Sequence, residues 1–133
     1  MVLSPPAATL AVMLAAAQAQ PSTPRCGDSQ TRLELRVEGL RSAAGLVTVV
    51  VYGDRPEDFL VKGRRLVKAR LKAAESRVTA CLPMPHPGTY ALAAYHDEDG
   101  DGKFDRSLVG LPTEGFAFSN DPPTIAGLPS FNA

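Results

Sequence analysis

Polar and apolar residues alternate in short stretches along most of the chain. Arg32–Leu40 is strict: Leu33, Leu35 and Val37 fall on one parity, Arg32, Glu34, Arg36 and Glu38 on the other. A two-residue period belongs to a strand with one face buried. Ser42–Gly45 has turn composition. Leu46–Tyr52 (LVTVVVY) is nearly continuous and β-branched, which suits a central strand covered on both faces. Pro56 and the acids after it suit the first turn of a short helix, for which Asp54 is the natural cap. Arg65–Lys72 alternates again, with Val67, Ala69 and Leu71 opposite Lys68, Arg70 and Lys72, and Arg77–Leu82 repeats the pattern. Pro83–Gly88 (PMPHPG) is a rigid turn, because prolines supply no ladder donors. Thr89–His96 is a further strand with Tyr90, Leu92 and Ala94 on one face, and Gly115–Ser119 a last short one. Strands at such spacing, without a long helical period, predict an all-β fold: an antiparallel β-sandwich of the transthyretin-like or immunoglobulin-like Greek-key kind.

The N-terminus departs from this pattern. Residues 7–17 read AATLAVMLAAA, with Thr9 the single polar residue, and Ala17-Gln18-Ala19 follows. The run is short for a membrane span and fits the apolar part of a signal peptide cut after Ala19, although no Lys or Arg precedes it. The predicted organisation is therefore a signal peptide at 1–19, an N-terminal tail at 20–31 and one sandwich domain at 32–133. The protein is expected to be secreted or periplasmic, with no transmembrane anchor in the mature chain. Cys26 follows Pro24-Arg25, unlike a lipid-attachment cysteine.

Export changes the meaning of the two cysteines. In an oxidising compartment Cys26 and Cys81 are a candidate disulfide, and two separate buried thiols are the alternative. Cys81 lies on the opposite parity from Val78, Ala80 and Leu82. A bridge would therefore strap the tail across an outer sheet face. A catalytic thiol would have only His86 and His96 to activate it.

Charge adds two points. The 14 Lys and Arg balance the 14 Asp and Glu, which argues against nucleic-acid binding through bulk positive charge. The charges are also segregated. Residues 25–77 carry 12 basic and 7 acidic groups, residues 78–133 carry 2 and 7.

The sharpest chemistry lies at 97–105 (DEDGDGKFD). Asp97, Asp99 and Asp101 alternate, Gly102 permits a sharp turn, the Lys103 carbonyl offers an oxygen and Asp105 closes the set. This is the opening of a calcium loop, in which a hard cation gathers six to eight oxygens at about 2.3–2.6 Å. Position twelve is Leu108, so the loop is not an EF-hand. Further ligands would have to come from Glu114, the Asn120/Asp121 region or water. The competing reading is a turn rich in Asp and Gly for conformational reasons. Any metal here would be structural. No nucleophile elbow or phosphate loop is present. A small hydrolase using His96 with Glu98 or Glu114 is the alternative to a binding or structural role. Phe116 and Phe118 share one face, as core or as a platform for sugar or peptide.

Pro87–Ser119 resembles the bacterial "domain of unknown function 2141" family. Tyr90-Ala91, Tyr95-His96-Asp97, the loop to Asp105, Gly110, Pro112, Glu114-Gly115, Phe118-Ser119-Asn120 and Pro129-Ser130-Phe131 carry the resemblance. It implies a secreted or periplasmic β-sandwich, similar in outline to transthyretin-like and carboxypeptidase-regulatory domains, and no activity. Family members often have Asn where this chain has Asp99 and Asp101, so this loop is the more anionic. They usually continue past the Pro-Ser-Phe segment into a last strand. An edge left open there would accept a partner strand at the C-terminal end. The expected partner is otherwise an envelope ligand, protein or carbohydrate.

Overall fold

The structure is a computed structural model that describes residues 18–21, 26–125 and 127–133. The apolar stretch assigned to a signal peptide lies outside the described residues. Among the described residues six strands form: β1 (Arg32–Leu40), β2 (Leu46–Tyr52), β3 (Val67–Lys72), β4 (Ser76–Pro83), β5 (Ala91–Asp97) and β6 (Phe116–Phe118). β1 and β4 make a two-stranded sheet; the other four make a sheet in the order β3-β2-β5-β6. Every strand pairing is antiparallel, and the two sheets pack face to face as predicted.

The core follows from parity. Val47, Val49 and Val51 of β2 and Ala69 and Leu71 of β3 meet Val78 and Leu82 of β4, with Leu33, Leu35 and Val37 of β1 packed against them. β2 is central and buried along almost its whole length, so its continuous apolar run is explained by burial on both faces. Its second face is covered by aromatic rings. Phe59 lies edge-on to Tyr52, Phe118 and Phe131, and Phe104 reaches Tyr95 and Phe116, with centroids 5.5–6.3 Å apart. Phe116 and Phe118 thus belong to a packed row, although Phe116 keeps 41% of its surface exposed.

One local expectation is corrected. The helical segment is a single 3₁₀ turn at Pro56–Asp58, and Arg55 rather than Asp54 holds the cap position, with no side-chain cap bond. Pro56 does occupy the first helical position, where its missing N–H is harmless.

Cys26 and Cys81 form a disulfide with Cα atoms 5.6 Å apart. Cys81 pairs with Glu34 on the outer face of the two-stranded sheet. The bridge therefore ties the N-terminal segment across that face rather than through the core. Among the described residues no helix is long and apolar enough to cross a membrane.

Candidate functional site: an acidic loop braced at the end of β5

β5 delivers His96 and Asp97 to one end of the four-stranded sheet, where they pair with Val47 and Leu46 of β2. Because side chains alternate across the sheet, the two residues point to opposite faces. His96 is buried, and its Nε2–H donates to the Ala44 carbonyl at 2.7 Å. That bond holds the β1–β2 turn against the strand. Asp97 is fully buried at the root of the loop. One of its carboxylate oxygens accepts the Asp101 N–H at 3.1 Å and the other accepts the Gly102 N–H at 2.9 Å. The loop is curled around this carboxylate. Gly102 sits at φ +81°, a conformation that L side chains rarely adopt.

The rest of the loop is wired in the same way. Asp99 accepts a second bond from the Asp101 N–H at 3.1 Å, and Asp101 accepts the Lys103 N–H at 2.7 Å. Glu114, which is also buried, spans the loop: one oxygen accepts the Glu98 N–H at 3.2 Å, the other the Asp105 N–H at 3.1 Å. Glu98 turns outward to an ion pair with Arg41 and accepts the Ser42 hydroxyl at 3.3 Å. Arg41 also donates to the Thr113 carbonyl at 2.9 Å. The Tyr95 hydroxyl donates to the Gly102 carbonyl at 3.2 Å.

The folded loop gathers two overlapping trios of carboxylates, Asp97/Asp99/Glu114 and Asp99/Asp101/Asp105. Within each, one oxygen per residue lies within 4.8 Å of the others. Asp99 belongs to both. The electrostatic signature is consistent with crowded acids. The Asp97 and Glu114 carboxyls are raised above the ordinary carboxylate range, first by desolvation and then by neighbouring carboxylates, against the lowering effect of their backbone N–H bonds. Asp105 is raised as well, by desolvation and by Asp101 and Asp99. A divalent cation bound among these oxygens would favour the ionised form of each.

The fold therefore brings Asp97, Asp99, Asp101 and Asp105 close to one another, with Lys103 at the turn between the last two. Glu114 reaches the same cluster from nine residues further along. Asn120 and Asp121 do not. They take positive φ after β6 and line a groove beside Leu35 and Arg36 of β1, because the short β6 carries the chain away from the loop. The backbone N–H bonds within the loop also show how an Asp- and Gly-rich turn holds itself together. The supports in the β1–β2 turn, Arg41, Ser42 and Ala44, are not legible in the sequence. They are ordinary residues more than fifty positions from the loop, and no local pattern marks them.

Gly45 marks the closest approach between turn and loop. A Cβ there would lie 2.0 Å from the Asp97 carbonyl oxygen and 2.7 Å from that of Glu98, and the residue sits at φ +69°. Only glycine fits.

Comparison with known proteins adds one result. No curated protein and no solved structure matches the chain. Residues 35–133 match the family described as "Uncharacterized protein conserved in bacteria (DUF2141)". The match takes in every strand except the first three residues of β1, together with the whole acidic loop, and on that ground the chain belongs to this bacterial family.

Proposed function

We propose that this protein is an exported, disulfide-strapped β-sandwich with a binding or structural role at the cell envelope, and that its acidic loop takes a structural calcium ion. The observation that carries the metal reading is the pair of carboxylate trios sharing Asp99, three of whose members are raised in pKa by burial and mutual repulsion. Oxygen ligands without His or Cys suit a hard cation. A loop of irregular geometry suits calcium better than magnesium, which demands a near-octahedral shell. The Cys26–Cys81 bridge supports an oxidising compartment, and the leader-like N-terminus supports export.

The hydrolase reading finds no supporting geometry. His96 uses Nε2 to hold the Ala44 carbonyl, Glu98 is engaged by Arg41 and Ser42, and both Glu114 oxygens accept backbone N–H groups.

The test is a thermal melt in chelator and in millimolar calcium. At 100 times the dissociation constant, binding adds about 2.7 kcal/mol, which raises the midpoint of a domain this size by roughly 10 °C or more. An unchanged midpoint refutes the metal reading. Export is tested separately: N-terminal sequencing of the mature protein should begin at Gln20, and an intact precursor in the cytosol with reduced thiols refutes it.

A further inference from the structure

Four strand edges are left without a strand partner among the described residues, and three of them are protected. β3 carries Lys68, Arg70 and Lys72, so two copies of that edge repel. β6 is three residues long. β4 ends in Pro83 and holds the bridge at Cys81. These are the usual devices against edge-to-edge pairing. β1 is nine residues long, has no proline or inward-pointing charge, and bulges only at its end, between Glu38 and Leu40.

The free edge can be assigned residue by residue. The Met84 N–H donates to the Thr31 carbonyl at 3.0 Å, in line with the β1–β4 register. Backbone groups alternate in direction along an antiparallel strand. Leu33, Leu35 and Val37 therefore turn theirs to β4, and Arg32, Glu34, Arg36 and Glu38 turn theirs to the unpaired side.

The charges on those same four residues are not explained inside the chain. Across the β1–β4 ladder Arg32 faces Pro83, Glu34 faces Cys81 and Arg36 faces Thr79; only Glu38 meets an opposite charge, Arg77. Within the strand Arg36 pairs with Glu38 at 3.7 Å, between exposed groups. Set against a second antiparallel copy of β1 with Leu35 opposite Leu35, the pattern is self-complementary. Arg32 then faces Glu38 and Glu34 faces Arg36, each twice by symmetry, at positions that exchange both main-chain bonds. The apolar side of the added strand would meet the groove of about 370 Å³ beside β1, floored by Val49, Leu92 and Ala94.

We infer that β1 is a homodimerisation edge, through which two copies of this chain join their two-stranded sheets into one continuous four-stranded sheet. The proposal is independent of the metal reading.

Charge reversal tests it. The oxidised wild type should sediment as a dimer that weakens with salt. Glu34→Arg and Arg36→Glu each place like charges opposite one another at two symmetry-related pairs, and each should weaken self-association about 100-fold. An equimolar mixture of the two single variants should form a heterodimer, and the double variant carrying both changes should dimerise again. Far-UV circular dichroism checks that each variant folds. In hydrogen exchange, the Arg32, Glu34, Arg36 and Glu38 amides should be protected in concentrated wild type and exposed in Arg36→Glu. A wild type that stays monomeric at about millimolar concentration overturns the proposal. So do single variants that dimerise like wild type, a mixture that stays monomeric, or amides of these four that exchange freely in concentrated wild type.

Discussion

Gly45→Ala is the most direct probe of how the turn and the acidic loop are held together. The added methyl carbon would start 2.0 Å from the Asp97 carbonyl oxygen, 2.7 Å from the Glu98 oxygen and 2.8 Å from the Glu98 carbonyl carbon. All three are backbone atoms, so no side chain can rotate away. Real Cβ atoms do not approach within 3.0 Å, and the turn must therefore retreat by about 1 Å. Three things oppose the retreat: the neighbouring Leu46–Asp97 pair, the Ala73 N–H bond to the Gly45 carbonyl at 3.2 Å, and the His96 bond to the Ala44 carbonyl. The left-handed backbone alone costs an alanine about 1 kcal/mol. Losing one ordinary hydrogen bond costs about 1 kcal/mol, and leaving a buried imidazole N–H unpaired about 2 kcal/mol. The sum is about 4 kcal/mol, a large part of a small domain's stability. Gly63→Ala is the control, since Gly63 has φ +84° with nothing near its absent Cβ, and only the backbone term of about 1 kcal/mol applies. In urea, with a slope of about 1.5 kcal/mol/M, the midpoint should fall by about 2.7 M for Gly45→Ala and about 0.7 M for Gly63→Ala. Equal shifts for the two variants would refute the close approach, and with it the account of how the loop is seated.

The remaining predictions concern the loop and the bridge. Without cations, stability should rise as pH falls from neutral. The folded Asp97, Glu114 and Asp105 carboxyls lie above their ordinary range, so their favourable contribution is complete below the unfolded carboxyl pKa and lost as pH rises through the folded values. Saturating calcium should reverse that slope, because the metal needs ionised ligands; melts across pH with and without calcium read both signs. Asp97→Asn should abolish the calcium response while lowering cation-free stability by about 1 kcal/mol or less, since the amide oxygen still accepts one of the two N–H groups; differential scanning calorimetry separates the two effects. Replacing Cys26 and Cys81 by Ser opens a loop of 55 residues' separation and should cost about 4 kcal/mol by the chain-entropy account, checked by denaturant midpoints.

Most strands were legible because they announce themselves locally. In β1 the alternation of Leu33, Leu35 and Val37 with charged residues reports one buried face, and the observed bounds Arg32–Leu40 and Leu46–Tyr52 coincide with the pattern. The acidic cluster was legible for the same reason, since Asp97, Asp99 and Asp101 are neighbours in the chain. The cap of the Pro56–Asp58 turn was not, because Asp54 and Arg55 lie two residues and one residue before Pro56, and only the folded backbone chooses between them.

The sequence by itself determined the elements: short-range periodicity states which face of a strand is apolar, and local composition states where the chain must turn and where acids concentrate. Tertiary structure alone decided the company those elements keep. Pairing β1 with β4 rather than β2 left the Arg32–Glu38 edge open, and crossing the turn over β5 brought Arg41 and Gly45 against the acidic loop. These depend on which strands meet across long separations, and a packing choice made by the whole core at once leaves no mark on any one stretch of residues.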